Sequence, residues 1–309
     1  MRISIVTTTL NALPYIAETV RSVLQTPHRE LEYFIVDAGS TDGTREFLES
    51  LSDDRLRVEI LAGSRQYEAL DWALRRSSGE VMAWINADDI YMPWTISSVA
   101  QIFTQFSQAD WITGLPAFLN GEGNCTVLAT PSSYPRRYIQ NGWFSEFSYG
   151  NLVQESMFWR RDLYVRAGGL NLNCDLAADF ELWTKFARYA ALEALDIPLA
   201  AWRKHTKNRS ILQGTAYRSE VAAISSQLPR INPLKAWLCR RATGKHALRL
   251  AEWHRTPWIY YSLTESRWMR STALRPISRY SVQYLKREFE TTRLKPSEPA
   301  CSPECQALS

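Results

Sequence analysis

Short apolar runs alternate with stretches of helical period through the first third of the chain. Residues 3–9, 31–36, 56–61 and 81–85 read as strands. Between them, residues 14–26 set Ile16, Val20, Val23 and Leu24 on one helical face, and residues 66–76 do so with Ala69, Leu70, Ala73 and Leu74. Phe47, Leu48 and Leu51 mark a shorter helix. Residues 93–106 form another, through Ile96, Val99, Ile102, Phe103 and Phe106. Strands separated by helices of this length predict βαβ units and a parallel sheet, hence an α/β fold.

After Trp111 the pattern changes. Residues 115–130 read as a hairpin around Asn120-Gly121-Glu122-Gly123, and residues 131–150 as a loop carrying Tyr134, Tyr138, Trp143, Phe144, Phe147 and Tyr149. Strands are expected at 156–160 and 191–197, with a helix at 176–189 between them, and from about residue 215 the chain reads as mostly helical. The predicted organisation is a domain over 1–214, with halves at 1–115 and 116–214. A basic, aromatic helical extension follows at 215–295, then a disordered tail at 296–309.

Charge sharpens this division. The net charge of the 309 residues is only +4. Residues 1–201 nevertheless carry 16 basic and 25 acidic side chains, whereas residues 202–295 carry 20 basic and 5 acidic. The first part suits a carboxylate-lined site and the second a surface that meets anions. The first lysine is Lys185, so a Walker A loop is excluded from the N-terminal two-thirds. No G-x-G-x-x-G follows the first strand and no G-x-S-x-G elbow occurs. Met1-Arg2 leads directly into strand-like sequence, and no apolar run approaches the roughly 20 residues that cross a bilayer. Cys125, Cys174 and Cys239 are isolated, and Cys301 and Cys305 fall in the tail. A reducing, cytoplasmic setting is expected.

The candidate chemistry centres on Asn86-Ala87-Asp88-Asp89, which follows the fourth strand. Strand ends in open α/β sheets face the ligand crevice. Adjacent carboxylates there repel unless a cation joins them, and a hard divalent cation could in turn hold a diphosphate. With no lysine nearby, a metal would have to replace the missing basic phosphate ligand.

Further motifs extend this reading. Thr7-Thr8-Thr9-Leu10-Asn11 ends the first strand, and Asp37-Ala38-Gly39-Ser40-Thr41-Asp42-Gly43-Thr44 ends the second. Gly63-Ser64-Arg65-Gln66-Tyr67-Glu68 opens a helix. Gln154-Glu155-Ser156, Ala177-Ala178-Asp179-Phe180-Glu181-Leu182-Trp183 and Arg203-Lys204-His205 lie downstream. Together they resemble family 2 glycosyltransferases of the GT-A fold, inverting nucleotide-sugar enzymes, from residue 3 to about residue 210.

The resemblance implies roles residue by residue. Thr7, Thr9, Asn11, Asp37, Arg65, Gln66, Asn86 and Asp88 would contact the nucleotide sugar, with Asp37 at the base. Asp88 and Asp89 would bind Mn²⁺ or Mg²⁺, and His205 is either a third ligand or a structural histidine. Asp179 matches the catalytic base, and Glu155, Trp183 and Arg203 are weaker candidates for acceptor or diphosphate contact. The sequence departs from the family pattern at Asn86 and Ala178, each of which replaces an acid, and at Glu68 and Asp71. The aromatic residues near Asp179 read either as core or as sugar platforms.

The expected activity is transfer of a sugar, with a UDP-sugar favoured as donor, to a glycan or lipid-linked acceptor in polysaccharide synthesis. Trp253, Trp258, Tyr260, Tyr261, Trp268, Tyr280 and Tyr284 among basic residues suit either an anionic membrane surface or a solvated cap. No nucleic-acid module is recognisable. The alternatives are a metal-dependent nucleotidyltransferase and an inactive sugar-nucleotide-binding protein.

Overall fold

The computed structural model describes residues 1–145, 148–229, 232, 234 and 253–277. Cys239, Phe147, Tyr280, Tyr284 and the tail at 296–309 lie outside the described residues.

The N-terminal unit follows the sequence pattern closely. Strands β1 (Ile3–Thr9), β2 (Leu31–Asp37), β3 (Leu56–Ile60) and β4 (Val81–Trp84) alternate with α1 (Ile16–Leu24), α2 (Thr44–Glu49) and α3 (Gln66–Arg76). All four strands are parallel, in the order β4-β1-β2-β3. Every residue of β2 and β4 is buried, as a strand covered on both faces requires. The register sets Thr9 beside Asp37 and Asp37 beside Ile60, so three strand ends open on one edge.

Beyond β4 come β5 (Ile90–Tyr91), α4 (Thr95–Gln105), β6 (Trp111–Thr113), β7 (Ala117–Leu119) and β8 (Cys125–Leu128). The expected hairpin is the antiparallel β7–β8 pair. Then follow α5 (Arg136–Gln140), β9 (Met157–Arg160), α6 (Arg161–Arg166), α7 (Ala178–Tyr189), β10 (Leu192–Leu195) and β11 (Ala200–Arg203). Strand β9 inserts antiparallel between β4 and β6. Strand β11 joins β5, β7 and β8 in a four-stranded sheet. Most aromatic residues of the 131–150 loop are buried in the core, where Tyr138 stacks on Trp143 and Tyr149.

The C-terminal portion corrects one expectation. Helix α9 (Gly214–Ser226) agrees with the sequence pattern and a short α8 (Arg209–Leu212) precedes it, but residues 253–277 form strands. These are β12 (Trp253–Arg255), β13 (Trp258–Ser262), β14 (Arg267–Ser271) and β15 (Leu274–Pro276). Strand β13 pairs in parallel with β10, so β13 and β14 extend the main sheet to nine strands. The physical reason lies in the β-branched and aromatic run Trp258–Tyr261, whose Ile259 is fully buried beside Leu195 of β10. Arg270 pairs with the buried Glu193 at 2.8 Å, and Arg275 pairs with Asp196 through bonds of 2.5 and 2.6 Å. Part of the basic charge of this segment therefore neutralises carboxylates of its own sheet. Among the described residues no helix is long and apolar enough to cross a membrane.

Candidate functional site

The β1 and β2 ends are tied to each other. Asp37 is fully buried, and its carboxylate accepts from the N–H groups of Gly39 and Ser40 and, at 2.5 Å, from Ser40 Oγ. Ser40 Oγ also accepts from Asn11 N, while Asn11 Oδ1 accepts from Thr41 N, each at 2.8 Å. Asn11 adopts a φ of 52°, a left-handed conformation that asparagine tolerates. Gly39, at φ 102°, turns the loop against Ala62. Asp37 and Asn11 thus shape this loop, Asp37 from a buried position and Asn11 from an exposed one. The buried hydroxyl of Thr7 joins Tyr33 Oη and the Ile85 carbonyl, both at 2.9 Å. Thr9 differs, having a buried hydroxyl with no hydrogen-bond partner among the described residues.

The Asn86–Asp89 turn holds its two carboxylates in different settings. Asp89 is fully buried and accepts from Arg203 N at 2.7 Å and from Asn86 Nδ2 at 3.0 Å. Burial, reinforced by Asp88 and Glu155, raises its pKa well above the ordinary carboxylate range. Asp89 therefore anchors the turn. Arg203 is also fully buried. Its Nε donates to the Asp88 carbonyl at 2.9 Å, and its Nη2 pairs with Glu18 at 2.5 Å. The pairing of β11 with β5 brings it there, so it pins the turn.

Asp88 faces outward, with its side chain 26% exposed. Its Oδ2 lies 2.9 Å from His205 Nε2 and 3.1 Å from Asn208 Nδ2. His205 stacks on Tyr15 with ring centroids 4.6 Å apart, its Nδ1 lies 3.2 Å from Lys207 N, and its Nε2 faces Asp88. Among the described residues no cluster of three or more His, Cys, Asp or Glu side chains forms a metal site. The pair nevertheless fits a hard divalent cation of the kind held by one or two protein ligands plus substrate phosphates.

Asn86 occupies the centre of the site. Its Nδ2 donates to Asp89 and, at 3.3 Å, to Glu155, and its Oδ1 accepts from Gln66 Nε2 at 3.4 Å. An aspartate could not donate to those two acids. Burial pushes Glu155 up to about 7, with Asp88 and Asp179 adding to the shift.

Asp179 lies half-buried in the first turn of α7. Burial pushes it up to about 6, against the backbone N–H bonds and the Tyr67 hydroxyl that favour its charged form. Tyr67 Oη donates to the Leu176 carbonyl at 3.1 Å and lies 3.5 Å from Asp179 Oδ1. A carboxyl titrating near neutrality can exchange a proton with a hydroxyl. Glu220 of α9 accepts from the N–H groups of Asp175, Leu176 and Ala177, at 3.1, 2.9 and 2.9 Å, and so fixes the approach to α7.

Two further candidates are held by the protein's own contacts. Trp183 is buried between Trp84 and Trp111, with ring centroids at 5.5 and 5.9 Å, and belongs to the core. Arg65 pairs with Glu68 at 2.6 Å and Asp175 at 2.7 Å, so it joins α3 to the loop before α7. Gln66 does border the site, accepting from Arg209 Nη1 at 2.7 Å. Tyr67, Asn208, Arg209 and Glu220 went unnoticed in the sequence. Only the Asn-Arg pair just after Arg203-Lys204-His205 offered a local signal.

A parallel-sheet edge that gathers an outward carboxylate, a histidine and a perturbed second acid defines an α/β enzyme site. The profile of glycosyl transferase family 2 matches residues 4–159, and the chain belongs to that family. An uncharacterized glycosyltransferase of Haemophilus influenzae is 25% identical over 241 residues, covering 74% of this chain and 72% of that protein. Two stronger local matches span less than half of the relative's own length. An uncharacterized glycosyltransferase of Nostoc sp. is 30% identical over 106 residues, 33% of each chain. TuaG of Bacillus subtilis, named for teichuronic acid biosynthesis, is 35% identical over 115 residues, 36% of this chain and 46% of its own. Among solved structures, Staphylococcus aureus TarS 1–349 in complex with UDP-GlcNAc superposes with a TM-score of 0.58 at 18% identity, covering 76% of this chain and 69% of that one. The mannosyltransferase PcManGT of Pyrobaculum calidifontis, in complex with GDP-Man and Mn²⁺, gives a TM-score of 0.52 at 20% identity, covering 81% and 70%. These structures share the GT-A fold with this chain.

Proposed function

We propose that this glycosyltransferase moves a sugar from a nucleotide-diphosphate donor to a hydroxyl of a glycan or lipid-linked acceptor, with inversion at the anomeric carbon. The observation that carries the reading is Asp179, half-buried and held up to about 6 where the sheet edge meets α7. In its ionised form it takes the acceptor hydroxyl's proton as that oxygen attacks the anomeric carbon and the bond to the diphosphate breaks. Tyr67 holds the carboxyl in place. Asp88 and His205 would hold the divalent cation, with Asp89, Arg203 and Asn86 fixing the turn behind them. When bound, Mn²⁺ or Mg²⁺ neutralises the charge developing on the departing diphosphate.

The donors bound by TarS and PcManGT support a nucleotide sugar, and the biosynthetic role in TuaG's name supports a surface polysaccharide as product. The basic charge of residues 202–295 supports an acceptor or membrane face that is anionic. The test is hydrolysis and transfer with UDP-, GDP- and dTDP-sugars, with and without Mn²⁺. Activity lost in Asp88→Ala and in Asp179→Asn is the expected result. Full activity in Asp179→Asn would refute the base.

A further inference from the structure

A cavity of about 490 Å³ lies between the start of α7 and the α8–α9 segment, lined by Asp175, Leu176, Arg209, Gln213, Thr215 and Glu220 among others. We propose that it binds an oxyanion, the phosphate or carboxylate of a ligand in the transfer reaction, with Arg209 as its cation. The inference rests on the reaction proposed above.

Charge pairing is the first ground. Of the two carboxylates on the cavity wall, Asp175 is paired with Arg65 at 2.7 Å, while Glu220 is held by three neutral backbone N–H groups and keeps its charge. Arg209 has no carboxylate partner among the described residues. Its Nε donates to Gln213 Oε1 at 3.1 Å and its Nη1 to Gln66 Oε1 at 2.7 Å, both neutral amide oxygens. Arg65 and Arg203, the other arginines of the site, each pair with acids. Two amides thus orient the guanidinium fork without cancelling its charge, and Nη2, which has no partner among the described residues, suits a bidentate or charge-assisted bond to an anion.

Position is the second ground. Leu176 lines the cavity, and its carbonyl accepts from the same Tyr67 hydroxyl that reaches Asp179. On the other side, Gln66 joins Arg209 to Asn86 and hence to the Asp88–Asp89 turn. Arg209 therefore stands between the base and the donor-side turn. An anion there belongs either to the acceptor, whose hydroxyl would reach Asp179, or to the donor's diphosphate.

Calorimetric titration of the full chain separates these sources. Wild type, Arg209→Gln and Arg209→Lys are each titrated with UDP plus Mn²⁺, then with inorganic phosphate before and after saturation with UDP and Mn²⁺. Loss of a charge-assisted bond is expected to weaken binding about tenfold in Arg209→Gln. Arg209→Lys, which keeps the charge but loses the fork, should lie between the two. Weakening confined to UDP assigns the anion to the donor's diphosphate. Weakening confined to phosphate on the UDP-saturated protein assigns it to the acceptor. Phosphate binding that depends on Arg209 in a protein that binds no UDP would keep the anion site and refute the transfer reading. Equal binding by wild type and Arg209→Gln in every titration would overturn the anion site alone.

Discussion

Replacing Asp179 with asparagine should remove activity and stabilise the fold. Burial raises the carboxyl from 3.8 to about 6, so the folded protein resists its ionisation while the unfolded chain does not. The folded state then holds more protons than the unfolded one between those values, and stability falls as pH rises through that window. Above about pH 6 the cost levels off. A shift of about two units corresponds to about 3 kcal/mol at pH 7.5, and to about half of that at pH 5, where the folded carboxyl is still protonated. Asparagine keeps the acceptor oxygen that faces the Tyr67 hydroxyl but carries no charge. At about 2 °C per kcal/mol for a chain of this size, the melting temperature of Asp179→Asn should exceed wild type by up to about 6 °C at pH 7.5, and by clearly less at pH 5. Turnover should fall by about two to four orders of magnitude. Wild-type kcat/KM should rise with pH through about 6, as the base loses its proton. Scanning calorimetry at the two pH values, with a pH–rate profile, reads all three quantities. An unchanged or lower melting temperature at pH 7.5 would show that Asp179 ionises without cost, and the burial argument would fail.

Other substitutions probe the parts around this acid. Asn86→Asp replaces the amide that donates to Asp89 and Glu155 with a third acid, which should cost about 1–3 kcal/mol without metal. Added Mn²⁺ should recover more of that loss than it gives to wild type, measured as a difference in melting temperature. Glu220→Ala uncovers three backbone N–H groups before α7 and should destabilise by about 1–3 kcal/mol while lowering kcat more than it raises donor KM. Trp183→Ala should cost about 3–5 kcal/mol in chemical denaturation, because the indole is packed among Trp84, Trp111 and Trp159. A Trp183→Ala protein of native stability with raised acceptor KM would return that residue to the acceptor site.

What the sequence carried, and what it did not, follows from the range of the interactions. Strand and helix assignments for residues 3–105 rest on local periodicity, and α3 falls on Gln66–Arg76 as that pattern implies. Residues 253–277 read as helix because Trp, Tyr and Arg mixed at short spacing resemble an amphipathic face. The strand character of β13 depends on pairing with β10, some sixty residues earlier, and the other three strands pair within the segment. The site shows the same division. Asp88, Asp89, His205 and Asp179 were visible as motif residues, but not which of the two aspartates faces outward. That outcome is decided by Arg203, which reaches Asp89 through its backbone N–H only because β11 lies against β5. Arg65 resembled a phosphate ligand until Asp175 closed on it from 110 residues away.

The reach of those contacts also bears on how the site is organised. The acids of an anionic, lysine-poor N-terminal half would repel one another if all stayed ionised and exposed. The fold separates them by environment instead. Asp89 and Glu155 are buried and pushed toward the protonated state, with Asn86 donating to both. Asp88 stays outward beside a histidine. Asp179 sits across the site with a pKa between those of an exposed and a fully buried acid. An aspartate at position 86 would remove the donor that allows two acids to share the turn. Asparagine there donates to both buried acids, as an aspartate could not, and leaves Asp88 as the outward carboxylate for the cation.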